Sequence, residues 1–364
     1  MKNLPQFFKG KKVLITGHTG FKGGWLSQIL LLWGSEVTGI ALRPSTTPNL
    51  FSLLKIKLNV NNYFIDVRNL KQVKSVFKKH KPEIVFHLAA QPIVRDSYDD
   101  PVYTFATNIM GTANILEAIR STKSVRAAVM VTTDKVYENR ETTVPYKEDD
   151  RLGGHDPYSS SKASAELVIN SYCKSFFNPI YYPQKHSTLI ASARAGNVIG
   201  GGDWSKDRIM TDIVRSIFEH NKAITIRNPN SVRPWQHVLE PLAGYLSLAC
   251  HLYKGKKNFS GAWNFGPGQD SHIMVKDLLS KTFDYLGKGS YSISKNSDHK
   301  YEASLLVLDS SKARQGLAWK STISAPKALE HTLDWYNNYY TSADNIKFTN
   351  QQIENFFKSR KKSS

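Results

Sequence analysis

Cysteine is scarce: Cys173 and Cys250 are the only two in 364 residues. That excludes a disulfide framework and a thiolate metal site, so no metal is expected, and it suits a reducing compartment. Long apolar runs are also missing. The stretch ILLLW at 29–33 falls far short of the roughly 18 apolar residues that a membrane-spanning helix needs. No membrane partner is therefore expected. The amino-terminus shows no signal-peptide pattern, and a cytoplasmic location is expected. Acidic residues are few, with 30 Asp and Glu against 49 Lys and Arg and a net charge of +19. A surplus of that size raises the question of a nucleic-acid partner. The basic residues are spread along the chain, however. Their one dense run, Lys358, Arg360, Lys361 and Lys362, lies in what reads as a frayed basic tail over 341–364. No nucleic-acid function is expected. A solvated basic surface that attracts small anions is the simpler reading.

What is present is an alternation. Short β-branched runs predict strands over 12–16, 36–41, 63–65, 84–88, 127–131 and 189–193. Helical patterns fall between them, over 23–33, 70–80, 103–120 and 157–176. Strands that alternate with helices predict an α/β fold, a doubly wound parallel sheet of the Rossmann type. After about residue 195 the pattern loosens. Helices are predicted over 209–219, 239–253 and 326–338, with a short strand over 223–226. The expected division is a dinucleotide-binding domain with the catalytic residues over 1–195, and a smaller substrate-binding lobe over 196–340. Some strands of that lobe are expected to return to the sheet.

The first strand runs into GHTGFKG, with Gly17, Gly20 and Gly23. Glycine lets the backbone turn tightly and approach a pyrophosphate. The following helix points its free amides at the anion. This context predicts a bound dinucleotide. The residues after the second strand, Leu42 and Arg43, leave its type open. NAD-binding chains often place an acid there, and Arg43 would instead suit the 2′-phosphate of NADP.

Further along, Tyr158 and Lys162 stand four apart in PYSSSKASAE, on one face of a helix. A nearby ammonium favours the phenolate, which can take the proton of a sugar hydroxyl. Thr133, at the end of the fifth strand, is placed to hydrogen-bond the same hydroxyl. Next to it, in VTTDKVYEN, are an acid and a base side by side, Asp134 and Lys135. An enzyme that only oxidises and re-reduces one carbon does not need that pair. An elimination needs both a base and an acid. A charged Lys135 would depress the pKa of Asp134, so a working pair is expected to titrate as one unit.

The glycine spacing G-x-x-G-x-x-G resembles that of the extended short-chain dehydrogenases/reductases. GHTGFKGGWL, TTDKVYEN, LGGHDPYSSSKA, ARAGNVIGGGDW and RPWQHVLEPLAGYL resemble the sugar-nucleotide 4,6-dehydratases of that family, and in particular those acting on CDP-glucose. The resemblance runs from about residue 8 to about residue 340. It implies NAD as cofactor, despite Arg43, and CDP-glucose as substrate. It also implies a homodimer or higher homo-oligomer built on the helices over 103–120 and 157–176. For the cofactor it implies contacts from Gly17, His18, Thr19, Gly20, Phe21, Gly23, Arg43, Asp66, Val67, Leu88, Ala89, Ala90 and Asn108, with Tyr158 and Lys162. His18 is expected to approach the nicotinamide. Thr133, Tyr158 and Lys162 are implied to oxidise C4, Lys135 to take the C5 proton or at least to orient that step, and Asp134 to protonate the C6 oxygen. Substrate contacts are implied for Gln91, Ser97, Asn197, Arg208, Arg233 and His237, with Trp204 and Trp235 either lining the pocket or lying in the core. The choice of cytosine as base rests on resemblance alone. Three rivals stand beside this reading: a 4-epimerase or dehydratase for another nucleotide sugar, a redox sensor that keeps the fold, and a basic nucleic-acid binder. An intact Thr133, Tyr158 and Lys162 speaks against the sensor.

Overall fold

The computed structural model describes residues 3–268, 271–294, 305–341 and 344–362. Seven strands form one sheet: β1 (Lys12–Thr16), β2 (Glu36–Ala41), β3 (Asn61–Phe64), β4 (Ile84–His87), β5 (Ala127–Val131), β6 (Leu189–Ala195) and β7 (Gly261–Phe265). They lie in the order 7-6-5-4-1-2-3, and every pairing is parallel. The strand order reverses between β1 and β4. In such sheets ligands bind in the crevice at that switch, beyond the carboxyl ends of the strands.

The strands read as near-continuous apolar runs because both faces are covered. Along β1, Val13 and Ile15 enter one core while Leu14 enters the other. Along β5, Val129 and Val131 part in the same way from Ala128 and Met130. The first core takes α1 (Phe21–Leu32) and α5 (Leu239–Tyr253), buried at every residue but His251 and Tyr253. The second takes α2 (Leu70–His80), α3 (Gly111–Arg120) and α4 (Pro157–Ser175). A third cluster, with Ile213, Leu278 and Leu329, forms a separate core that α6 (Ala325–Thr341) joins.

The helix expected over 103–120 contains a π turn at Ala106–Met110, and the one over 209–219 changes to a π turn at Arg215–His220. Single π turns interrupt helices most often at functional sites. The first carries Asn108, whose role appears below.

The carboxyl-terminal segment is not a frayed tail. Residues Asn345–Lys362 form a helix, α7. Ile353, Phe356 and Phe357 pack into the first core. Arg360, read as part of a solvated basic run, is 5% exposed and forms an ion pair with the wholly buried Glu240 on α5. The other oxygen of Glu240 accepts from the backbone amides of Thr322 and Ile323 at 2.7 and 2.8 Å. One carboxylate thus ties α5, the 322–323 loop and α7 together.

Two outcomes follow for stability. On α1, a Cβ at Gly23 would lie 2.0 Å from the carbonyl oxygen of Gly17. Helix propensity alone favours alanine there by about 1 kcal/mol. A clash with backbone costs about 1–3 kcal/mol or more. Gly23→Ala should therefore lower the thermal unfolding midpoint, and an unchanged or raised midpoint would contradict this packing. Arg360→Met leaves a buried charge uncompensated, at about 3–5 kcal/mol. Urea unfolding should show that loss; a change below about 1 kcal/mol would mean that α7 is not held by this pair.

Candidate active site

A single cleft of about 1440 Å³ lies across the switch between β1 and β4. It exceeds the roughly 300–1,000 Å³ of an ordinary small-molecule site, and two ligands side by side would fill it.

One half is built by the glycine turn. Gly17 takes φ +77°, which glycine adopts without strain, and a Cβ there would meet the Ala89 amide at 2.8 Å. The Gly20 amide donates back to the Gly17 oxygen, and α1 starts at the next residue. Helix starts leave amides without intrahelical acceptors, the usual cradle for a phosphate. Thr19, Phe21, Val67, Leu88, Ala89 and Ala90 line this half. Asp66 lines it too, clasped by the Arg68 guanidinium at 2.7–3.1 Å. Burial alone would raise its pKa, but the Arg68 bonds outweigh this and hold it below the usual carboxylate range. Arg43 is exposed at the rim and stacks 4.6 Å over the Phe64 ring. No acid follows β2. The glycine cradle, the Asp66 carboxylate and a dinucleotide-sized trough fit NAD or NADP.

The other half gathers at the ends of β5 and β6. Thr133 starts a short 3-10 turn, Asp134–Val136. Its hydroxyl donates to Asp134 Oδ1 at 2.9 Å, and Thr133 also works to lower the pKa of the Tyr158 phenol. Asp134 is 5% exposed, and its Oδ2 lies where only glycine fits, 2.6 Å from a Cβ built on Gly196. Burial raises the pKa of Asp134. Lys135, Thr133 and Lys22 oppose that shift and do not cancel it. The depression expected from Lys135 alone is therefore outweighed: this carboxyl favours its protonated form more than an exposed one does.

Tyr158 and Lys162 stand on α4 as expected. Asp156 caps the helix, accepting from the Ser159 amide at 3.0 Å, and Pro157 occupies its first turn. Lys162 Nζ donates to the Val131 carbonyl at 3.1 Å. Burial lowers its pKa to about 8, against a raising effect from Glu166 one turn on. Glu166 in turn holds Arg194 across β6 in a buried two-pronged pair at 2.9 and 3.0 Å, so Arg194 is structural. The Tyr158 phenol behaves differently from the sequence-based expectation. Burial pushes it up to about 12, with Thr133 and Arg208 working against that. The groups of the protein alone do not lower it.

Several residues expected to touch ligand do not line the cleft. His18 is wholly buried, its Nε2 bonded to Asn62 at 2.7 Å and its ring lying under β2 where Gly39 leaves room. It faces away from the cleft. His237 is wholly buried between Trp25 and His331. Burial lowers its pKa to about 3, so it stays neutral. Ser97 is buried and accepts from the Tyr158 amide at 3.1 Å. Asn108, on the π turn, binds the Gln91 backbone at 2.8 and 3.1 Å and Ser161 at 2.8 Å. Both hold α4 in place. Gln91 reaches the cleft, but its amide is taken up by Ile93 and Thr104. Trp204 and Trp235, 2% and 4% exposed, are packed more as core than as pocket. Asn197, Arg208 and Arg233 line the wall of the smaller lobe.

The sequence reading missed Lys22, which lines the cleft from the first turn of α1. It also missed the mouth, where Lys206 pairs with Asp96 at 2.7 Å and Arg95 with Asp207 at 3.9 Å. The available signal for Lys22 was a lysine inside the phosphate turn. Among the described residues no group of three or more side chains is arranged to hold a metal ion, and no helix is long and apolar enough to cross a membrane.

Comparison with known proteins gives the geometry a context. The chain is 43% identical over 350 residues to the CDP-glucose 4,6-dehydratase of Salmonella typhimurium, covering 96% of this chain and 97% of that one. It is 27% identical to the CDP-paratose 2-epimerase of Salmonella typhi, over 89% and 98% of the two chains. Among solved structures, the UDP-glucose 4-epimerase of Thermus thermophilus in complex with NAD superposes with a TM-score of 0.76 at 22% identity, covering 89% of this chain and 98% of that one. The sequence model of the GDP-mannose 4,6 dehydratase family matches residues 14–332. With that span and a dehydratase relative along nearly its whole length, the chain belongs to the GDP-mannose 4,6 dehydratase family, within the extended short-chain dehydrogenases/reductases.

Proposed function

We propose that this protein is a CDP-glucose 4,6-dehydratase, converting CDP-D-glucose to CDP-4-dehydro-6-deoxy-D-glucose and water for deoxysugar synthesis. The observation that carries the reading is Asp134. A buried carboxyl, biased toward its protonated form and bonded to Thr133 beside Tyr158, is an acid that a 4-epimerase does not need. The near-full-length likeness to the Salmonella dehydratase supports the same choice and is the support for cytidine as the base.

NAD, when bound in the glycine cradle, supplies the acceptor for the C4 hydride and its later donor to C6. The protein moves the protons. Tyr158 Oη takes the proton of the 4-hydroxyl, with Thr133 orienting that hydroxyl. The ketone so formed acidifies the C5 proton, which the Lys135 amine takes. Asp134 gives its proton to the C6 oxygen and water leaves; when C6 later regains hydride, Lys135 returns its proton to C5. Burial raises the Tyr158 pKa, and Thr133 and Arg208 are the protein groups that favour its phenolate. Asn197, Arg208 and Arg233 are the groups for the substrate pyrophosphate, the two guanidiniums by charge-assisted bonds. The exposed apolar residues Val102, Met110, Leu167 and Phe176, on the helices flanking β4 and β5, suit a homodimer. A cytoplasmic setting fits a nucleotide-sugar substrate.

Incubation with a panel of nucleotide-glucoses, read by mass spectrometry, tests the reading. CDP-glucose should lose one water. Simple inversion at C4, or preference for another nucleotide, would contradict it. Lys135→Met and Asp134→Asn should still reduce the bound nicotinamide and then stall, with product formation slowed by about 10²–10⁴. Normal product formation by either variant removes that residue from the elimination.

Asp134→Asn has a second consequence. A carboxyl whose folded-state pKa is raised favours folding when protonated, and that contribution fades as pH rises through the folded value. Asp134→Asn should therefore raise the thermal midpoint at neutral pH, with a gap that shrinks in acid. A midpoint that is equal or lower at neutral pH would contradict the raised pKa.

A further inference from the structure

Lys22 has no part in the scheme above, yet it lies at the centre of the site's charge. It stands on the first turn of α1, next to the phosphate turn, and lines the same cleft as Thr133, Asp134, Tyr158, Lys162 and Arg208. The buried cations nearby have fixed partners. Lys162 is bonded to the Val131 carbonyl, and Arg194 is clasped by Glu166. Lys22 forms no ion pair or hydrogen bond through its side chain among the described residues. Its field is nonetheless felt across the cleft. The groups acting on it are Arg208, Asp134, Lys162 and Asp203, and it acts in turn on Asp134. Lys135 acts on the same carboxyl from the neighbouring position. Lys22 is the cation that the cofactor-binding turn contributes to this carboxyl.

This arrangement matters at one step. In the elimination the Asp134 proton passes to O6, the C6–O6 bond breaks, and the C5–H pair becomes the second bond between C5 and C6. The C5 proton goes to Lys135. Asp134 ends as a carboxylate in a buried site, where an uncompensated charge is costly. A cation already in place lowers the barrier to forming it.

We propose that Lys22 is a positioning residue for the elimination step, its ammonium stabilising the Asp134 carboxylate that forms when the C6 oxygen is protonated. The inference rests on the dehydratase reading. Burial, Arg208 and Lys162 together lower the Lys22 pKa to about 8, with Asp134 and Asp203 pulling the other way. The ammonium is therefore present at neutral pH and is lost in mild alkali.

Three forms test this: the native protein, Lys22→Met, which keeps the apolar stem, and Lys22→Arg, which cannot titrate. In single turnovers with CDP-glucose at neutral pH, Lys22→Met should reduce nicotinamide and eliminate at least about tenfold more slowly, so that the reduced form accumulates. Lys22→Arg should restore elimination. Above about pH 8 it should also eliminate faster than the native protein, which alone loses the charge at position 22 there. A second readout needs no turnover. The infrared stretch of the protonated Asp134 carboxyl, identified by difference against Asp134→Asn, should persist to higher pH in Lys22→Met than in the native protein. Elimination by Lys22→Met at the native rate, or an Asp134 titration that does not move, overturns the proposal. If the native protein gives no dehydrated product, the dehydratase reading fails, and the infrared shift still decides whether Lys22 governs Asp134.

Discussion

The site depends on the burial of one carboxyl. Asp134 follows the end of β5 with 5% of its surface exposed, and burial there raises its pKa, which suits it to the acid role proposed above. Lys135, Thr133 and Lys22 all favour its anion, and burial still prevails. In the proposed mechanism this group gives its proton to the C6 oxygen, and the cations nearby stabilise the charge that results. Exposed to water, the same residue would hold its proton less firmly.

The fold supplies that burial. A fully parallel sheet must be covered on both faces, which forces the ends of β1, β4, β5 and β6 into one crevice walled by helices. The glycine turn after β1 opens the floor of the crevice to a dinucleotide. The 3-10 turn after β5 sets Thr133 and Asp134 against it. The first turn of α4 places Tyr158, held from behind by Ser97 and by Asn108 through Ser161. Glu166 and Arg194, paired between α4 and β6, keep that helix in register with the strands. The positions of the reacting groups therefore depend on buried polar contacts that touch no ligand.

That division explains what could be read from sequence. The sheet was legible because β-branched runs alternate with amphipathic helices. The glycine turn, Thr133 to Lys135 and Tyr158 with Lys162 were legible because each group is local, within a few residues of chain. His18 and His237 were not. A histidine in a turn carries no record of which way its ring points, and here the gap over Gly39 and the space beside Trp25 decided it. Ser97 and Asn108 were placed in the right neighbourhood with the wrong role, because contact with a helix behind the site looks like contact with ligand when only spacing is known. Arg360 read as solvent-exposed because its partner, Glu240, lies 120 residues away. The upward shift of Tyr158 was hidden for a related reason: the spacing to Lys162 is visible in the sequence, and the depth of burial is not.

The central claim is that hydride leaves one sugar carbon and returns to its neighbour's neighbour while the protein removes water between them. CDP-glucose carrying deuterium at C4 tests this directly, with the product examined by NMR. The account predicts that the deuterium appears in the C6 methyl group. Deuterium retained at C4, or lost to solvent, would contradict it.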